Sequence, residues 1–195
     1  MNFKSNIIFV RLVNLLKASH SYILVLLCLI SLRFQQGPSS FDAVSKNKTL
    51  FIYGFTKNFE WPDEKKSNNF IIYVVGKNDN LVNELKKMAS AKKVGEQDIE
   101  IKNTTSFYNN INPHILVFTS DNDAKTISEL SSKLKNKGSL IISEMQGGCK
   151  VGASLNFTYV DSKLKFEYKE DAAKKAGLKT KEEFKKLAIE NYWLI

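Results

Sequence analysis

The sequence predicts an α/β domain: an open, mainly parallel sheet with helices on both faces and a C-terminal antiparallel hairpin. Three observations carry this. Short continuous apolar runs at 70–75, 114–119 and 140–142 read as strands covered on both faces. Amphipathic stretches at helical spacing lie between them, and a parallel neighbour can be reached only by such a crossover. After Gly152 the pattern changes to two extended runs split by Val160-Asp161-Ser162-Lys163, a hairpin signal.

Each element follows in order. Over 43–61 the large residues Phe51, Phe55 and Phe59 recur every four positions, with Leu50, Ile52 and Tyr53 widening the stripe, so a helix with one buried face is expected. Pro62 ends it. The strand at 70–75 is closed by Gly76, and a helix follows over 81–88. Residues 99–102 are extended, 114–119 form a buried strand, 124–134 are helical with Ile127, Leu130 and Leu134 on one side, and 140–142 are a further strand. The hairpin strands fall at 153–159 and 164–168. A helix starts at Glu170 and stops at Gly177, and Thr180 with Glu183 reads as a capping box for a last helix reaching Tyr192.

The amino terminus is different in kind. Residues 1–37 carry Lys4, Arg11, Lys17 and Arg33 and no acid, and a basic lead meets an uncharged apolar run at 22–32. That run matches the core of a secretory signal and is short for a membrane span, so export is expected, with an uncleaved anchor as the competitor. Leu27 before Cys28 argues against lipid attachment there. Residues 35–40 form a polar linker, and a single domain spans 41–195.

The chain carries a formal net charge of +9, part of which belongs to the export segment. Elsewhere acids and bases alternate, as in Asp63-Glu64-Lys65-Lys66, which describes solvated faces and argues against nucleic acid as a partner. After processing only Cys149 remains, so no intramolecular disulfide forms. His114 is then the one histidine left, and a structural role with a ring nitrogen bonded to a nearby carbonyl is expected of it. No cofactor, metal site or catalytic group is expected. Gly147, Gly148 and Gly152 match neither phosphate-loop pattern and precede a strand; they read as a turn between the parallel part and the hairpin. Asp121 and Asp123 read as caps of the helix that starts at Ala124, and Trp61 reads first as core closure.

Five pieces occur in order: Leu50-Phe51-Ile52-Tyr53-Gly54-Phe55 ending at Glu60-Trp61-Pro62; Ile71 through Val75 with Gly76; His114-Ile115-Leu116-Val117-Phe118; Gly147-Gly148 with Leu155-Asn156-Phe157; and Lys165-Phe166-Glu167 through Asp171-Ala172-Ala173. Over about residues 43–190 this combination resembles the YfiR family of bacterial periplasmic proteins. The resemblance implies a non-enzymatic repressor that binds the periplasmic part of an inner-membrane diguanylate cyclase and lowers cyclic-di-GMP output. Pro113 stands where the family often has a cysteine, so disulfide-based redox control is not expected. Lys165 replaces the usual arginine, keeping charge but losing bidentate geometry.

The expectation is therefore an exported homodimer acting as a regulatory binding module. Its partner surface joins Tyr53, Phe59 and Trp61 on the first helix to Gly147, Gly148, Lys165 and Glu167 on the loop and hairpin. The rival is a periplasmic small-ligand receptor that uses the sheet edge near Asp121 and Ser143.

Overall fold

The computed structural model describes residues 40–105, 111–119 and 124–188. The expected export segment at 1–37, Asp121, Asp123 and the end of the last expected helix lie outside them.

Helix α1 (Ser40–Asn58) starts the fold. It stops short of the expected Trp61 because Phe59–Glu60 leave it as a two-residue strand, β1. Its partner is β9 (Lys179–Thr180), with Phe59 opposite Thr180 and Glu60 opposite Lys179. The Asn58 side chain closes the helix end by donating to the Gly54 carbonyl at 2.8 Å, and the Asn58 carbonyl accepts from Lys181 N. A long-range pairing has overridden the local helical period.

The main sheet has seven strands in the order β3-β4-β2-β5-β6-β7-β8. Strands β4 (Gln97–Thr104), β2 (Phe70–Val75), β5 (Ile115–Phe118), β6 (Leu140–Ser143) and β7 (Leu155–Val160) run parallel. The short β3 (Lys93–Val94) and the last strand β8 (Lys163–Tyr168) close the two edges antiparallel. Strand β3 was not expected; it folds back on β4 through Gly95, whose φ of 57° suits a residue without a side chain. At the other edge Asp161 and Ser162, at φ of 49° and 59°, turn β7 into β8.

Helix α2 (Asp79–Ala91) is capped by Asn78, whose Oδ1 accepts from Leu81 N. On one face of the sheet, Ile72, Val74, Ile115, Val117 and Ile142 pack with Ile52 and Phe55 of α1 and Leu81 and Leu85 of α2. On the other, Val75, Leu116, Phe118 and Ile141 meet Ile127 and Leu130 of α3 (Ala124–Lys133) and the adjacent Leu134. The alternation along β2, β5 and β6 is the pleat of a strand buried on both sides.

Beyond the hairpin come α4 (Glu170–Lys175), β9 and the short α5 (Glu182–Lys185). The expected capping box does not form: Lys181 occupies the cap position without a side-chain bond, and the Thr180 hydroxyl instead pairs with the Tyr168 hydroxyl at 2.6 Å. The strand pairing of Thr180 with Phe59 holds it away from the helix start. Among the described residues no helix is long and apolar enough to cross a membrane.

Candidate functional site

The hairpin and α1 are joined by aromatic rings. Phe55 lies 5.1 Å from Phe166, 6.0 Å from Phe157 and 5.6 Å from Phe184, and Phe184 stacks on Phe166 at 5.3 Å. Phe59 continues the cluster to Phe184, Tyr168 and Trp61. These contacts fix the course of α1 across β7 and β8, and two concavities flank them.

The first is an apolar groove of about 720 Å³ between α1 and β8, lined by Leu50, Phe51, Leu164, Phe166, Phe184 and Leu187, with Lys163 and Lys165 at its rim. Leu50 is 62% exposed and Leu187 65% exposed. Single exposed leucines are ordinary, but two that border one concave apolar surface form a patch.

The second is a polar cleft of about 620 Å³ on the other side of the hairpin, between α1, the segment after β6, and β7. Lys48 of α1 and Glu144 form an ion pair of 2.8 Å there, with side chains 10% and 9% exposed. Asn156 of β7 donates to the Glu167 carboxylate of β8 at 3.2 Å. Burial pushes the Glu167 carboxyl above its ordinary range, against the hydrogen bond from Asn156 and the charge of Lys150. Glu144 Oε1 and Asn156 Oδ1 are both buried and have no hydrogen-bond partner among the described residues.

The glycine loop frames this cleft. Gly147 and Gly152, at φ of 76° and 119°, cap a short 3-10 turn over Gly148–Val151. A side chain on Gly148 would meet Ser143 Oγ and Asn156 Oδ1, so the close approach of the loop to the sheet requires glycine there. Burial pushes the Cys149 thiol up to about 12, which disfavours the thiolate.

The expected partner surface is only partly brought together. Lys165 borders the apolar groove, and Gly147 and Glu167 border the polar cleft, with the hairpin between them. Tyr53 faces the opposite sheet edge, where its hydroxyl donates to the Lys93 carbonyl at 3.4 Å and Lys57 lies 4.5 Å over its ring. Phe59 and Trp61 are corrections: both are core residues, Phe59 turned inward by the pairing of β1 and Trp61 packed just beyond it. Trp61 sits edge-on to Phe70 and His114 and donates its indole N–H to the Thr56 carbonyl, in keeping with core closure. Gly148 is buried beneath the loop. None of these three side chains or positions offers an exposed contact.

His114 is fully engaged. Its Nδ1 accepts from Ile71 N at 3.0 Å, which leaves the Nε2 proton to donate to the Lys65 carbonyl at 2.7 Å. Lys65 itself is buried, with its ammonium on Pro113 O and both oxygens of Asn112, and burial lowers its pKa to about 8. Ser143, at the rival ligand position, is buried and its hydroxyl accepts from Met145 N. Among the described residues no group of three or more His, Cys, Asp or Glu side chains is placed to hold a metal ion.

Sequence reasoning missed Lys48 and Glu144. A signal existed: Lys48 precedes Ile52 by one helical turn and so lies on the apolar stripe of α1, where an unpaired lysine is not tolerated.

No curated protein matches the chain in sequence. The model of the family described as YfiR/HmsC-like matches residues 45–189. Since that match runs from within α1 through α5 and takes in most of the chain, the chain belongs to the YfiR/HmsC-like family.

Proposed function

We propose that this protein works outside the cytoplasm as a non-enzymatic regulator, docking on the periplasmic part of a membrane signalling protein, a diguanylate cyclase, and restraining it. The observation that carries the reading is the apolar groove between α1 and β8, with Leu50 and Leu187 exposed at its border and Lys163 and Lys165 at its rim. An apolar concavity beside two cations suits a partner segment with apolar anchors and flanking acids. Family membership supports the same reading, because the resemblance implies repression of such a cyclase.

Regulation by docking needs a surface that binds one state of the partner better than the other; equal affinity for both states shifts nothing. The groove is walled by α1 and β8, which Phe51 and Phe55 hold together against Phe166. The test is capture of the membrane partner by the exported chain and by a Leu50→Asp, Leu187→Asp variant. The wild type is expected to retain the cyclase and the variant to lose it; equal retention by both removes this groove from consideration. The reading includes a homodimer, which light scattering on the purified chain checks.

A further inference from the structure

We infer that the apolar groove between α1 and β8 is the seat of the chain's own C-terminal segment, Ile189-Glu190-Asn191-Tyr192-Trp193-Leu194-Ile195, which lies outside the described residues. Two independent observations point there. The first is continuity. Phe184 of α5 and Leu187 just after it line the groove, and Ala188 packs against the core, so the chain passes into residue 189 at the groove's border.

The second observation is chemical fit. Among the described residues the groove's charged lining consists of Lys163 and Lys165, with no acidic side chain. Such a surface suits a short segment that offers large apolar side chains and an acid. Residues 189–195 offer Ile189, Tyr192, Trp193, Leu194 and Ile195, and their one charge is Glu190. The apolar run at 22–32 has no acid to set against the lysines. Leu50, at 62% exposure, and Leu187, at 65%, are the side chains this segment would cover.

The tether favours this occupant over a free one. Seven extended residues reach at most about 25 Å, and the groove begins at Leu187, so no long loop has to be closed. A segment held this way competes at an effective concentration in the millimolar range, so contacts equivalent to a Kd of about 1 mM already cover the groove for much of the time.

The consequence for regulation rests on the reading that the signalling partner docks in the same groove. The segment is then an internal competitor, and the partner's apparent affinity falls in proportion to the fraction of grooves left open. Seating of the segment is a property of the chain alone and is tested without the partner.

The experiment is acrylamide quenching of tryptophan fluorescence in the full chain. Its two tryptophans are Trp61, in the core, and Trp193, in the segment, so a Trp193→Phe variant supplies the Trp61 contribution for subtraction. Leu50→Asp and Leu164→Asp place a carboxylate on either wall of the groove. Neither side chain is buried, so each variant is expected to keep a cooperative thermal transition, and two variants guard against the failure of one. The Stern–Volmer constant of Trp193 in the wild type is expected to be about a third or less of its value in the folded variants. The seat is overturned if Trp193 in the wild type is quenched as readily as N-acetyltryptophanamide, or if the folded variants match the wild type. It is equally overturned if protection grows with chain concentration, which would put the segment on a second copy. None of these outcomes decides whether the membrane partner is captured, so the two readings fail separately.

Discussion

The ammonium of Lys48 lies 2.8 Å from the carboxylate of Glu144, with both side chains about nine-tenths out of water, and so ties the first helix to the loop that follows β6. A pair this withdrawn is weak evidence of net stabilisation, but removing one partner strands the other charge. Lys48→Met alone or Glu144→Leu alone is expected to lower unfolding free energy by about 3 kcal/mol, while the double variant recovers most of the loss. Urea unfolding of the three variants checks this through the coupling energy.

Phe59 and Trp61 connect the end of α1 to the aromatic cluster and to the His114 corner. Each truncation to alanine is expected to lose about 3–5 kcal/mol, so Phe59→Ala with Trp61→Ala should lose its cooperative thermal transition. A double variant that melts near the wild type would show that these rings are not core.

A methyl group at Gly148 would collide with Ser143 Oγ and stand 2.6 Å from Asn156 Oδ1. Gly148→Ala is therefore expected to destabilise by about 1–3 kcal/mol through displacement of the loop. Gly54, with open space around it, is the internal comparison: Gly54→Ala, four residues before the end of α1, should be neutral or stabilising. Thermal denaturation of the two separates steric from helical effects.

Burial holds the His114 imidazole below its ordinary value of 6.5. Such a histidine binds fewer protons folded than unfolded, so its contribution is complete above 6.5 and is lost as the pH falls through the folded-state value. Urea midpoints between about pH 7.5 and about pH 5 should fall more steeply for the wild type than for His114→Gln, which does not titrate. Parallel slopes would contradict the buried neutral imidazole.

What was legible in the sequence is what periodicity controls. The apolar runs at β2, β5 and β6 announced strands buried on both faces, and the structural role of His114 followed from its place at the head of β5. Long-range pairing was not legible. The departure of Phe59 from α1 depends on Lys179 and Thr180, far along the chain, and the same pairing removes Thr180 from its expected cap. Nor does sequence reveal exposure: Phe59, Trp61 and Leu50 are alike as large apolar residues at the first helix, yet only Leu50 faces solvent. The polar cleft is assembled from α1, the segment after β6 and both hairpin strands, so its residues have no shared local signature.

The most direct measurement is the cyclic-di-GMP content of host cells lacking this chain, complemented either by the wild type or by the Leu50→Asp, Leu187→Asp variant. Loss of the protein should raise the level, the wild type should restore it, and the exported, folded variant should not. An unchanged level on deletion, or full restoration by the variant, would contradict regulation through the groove between α1 and β8.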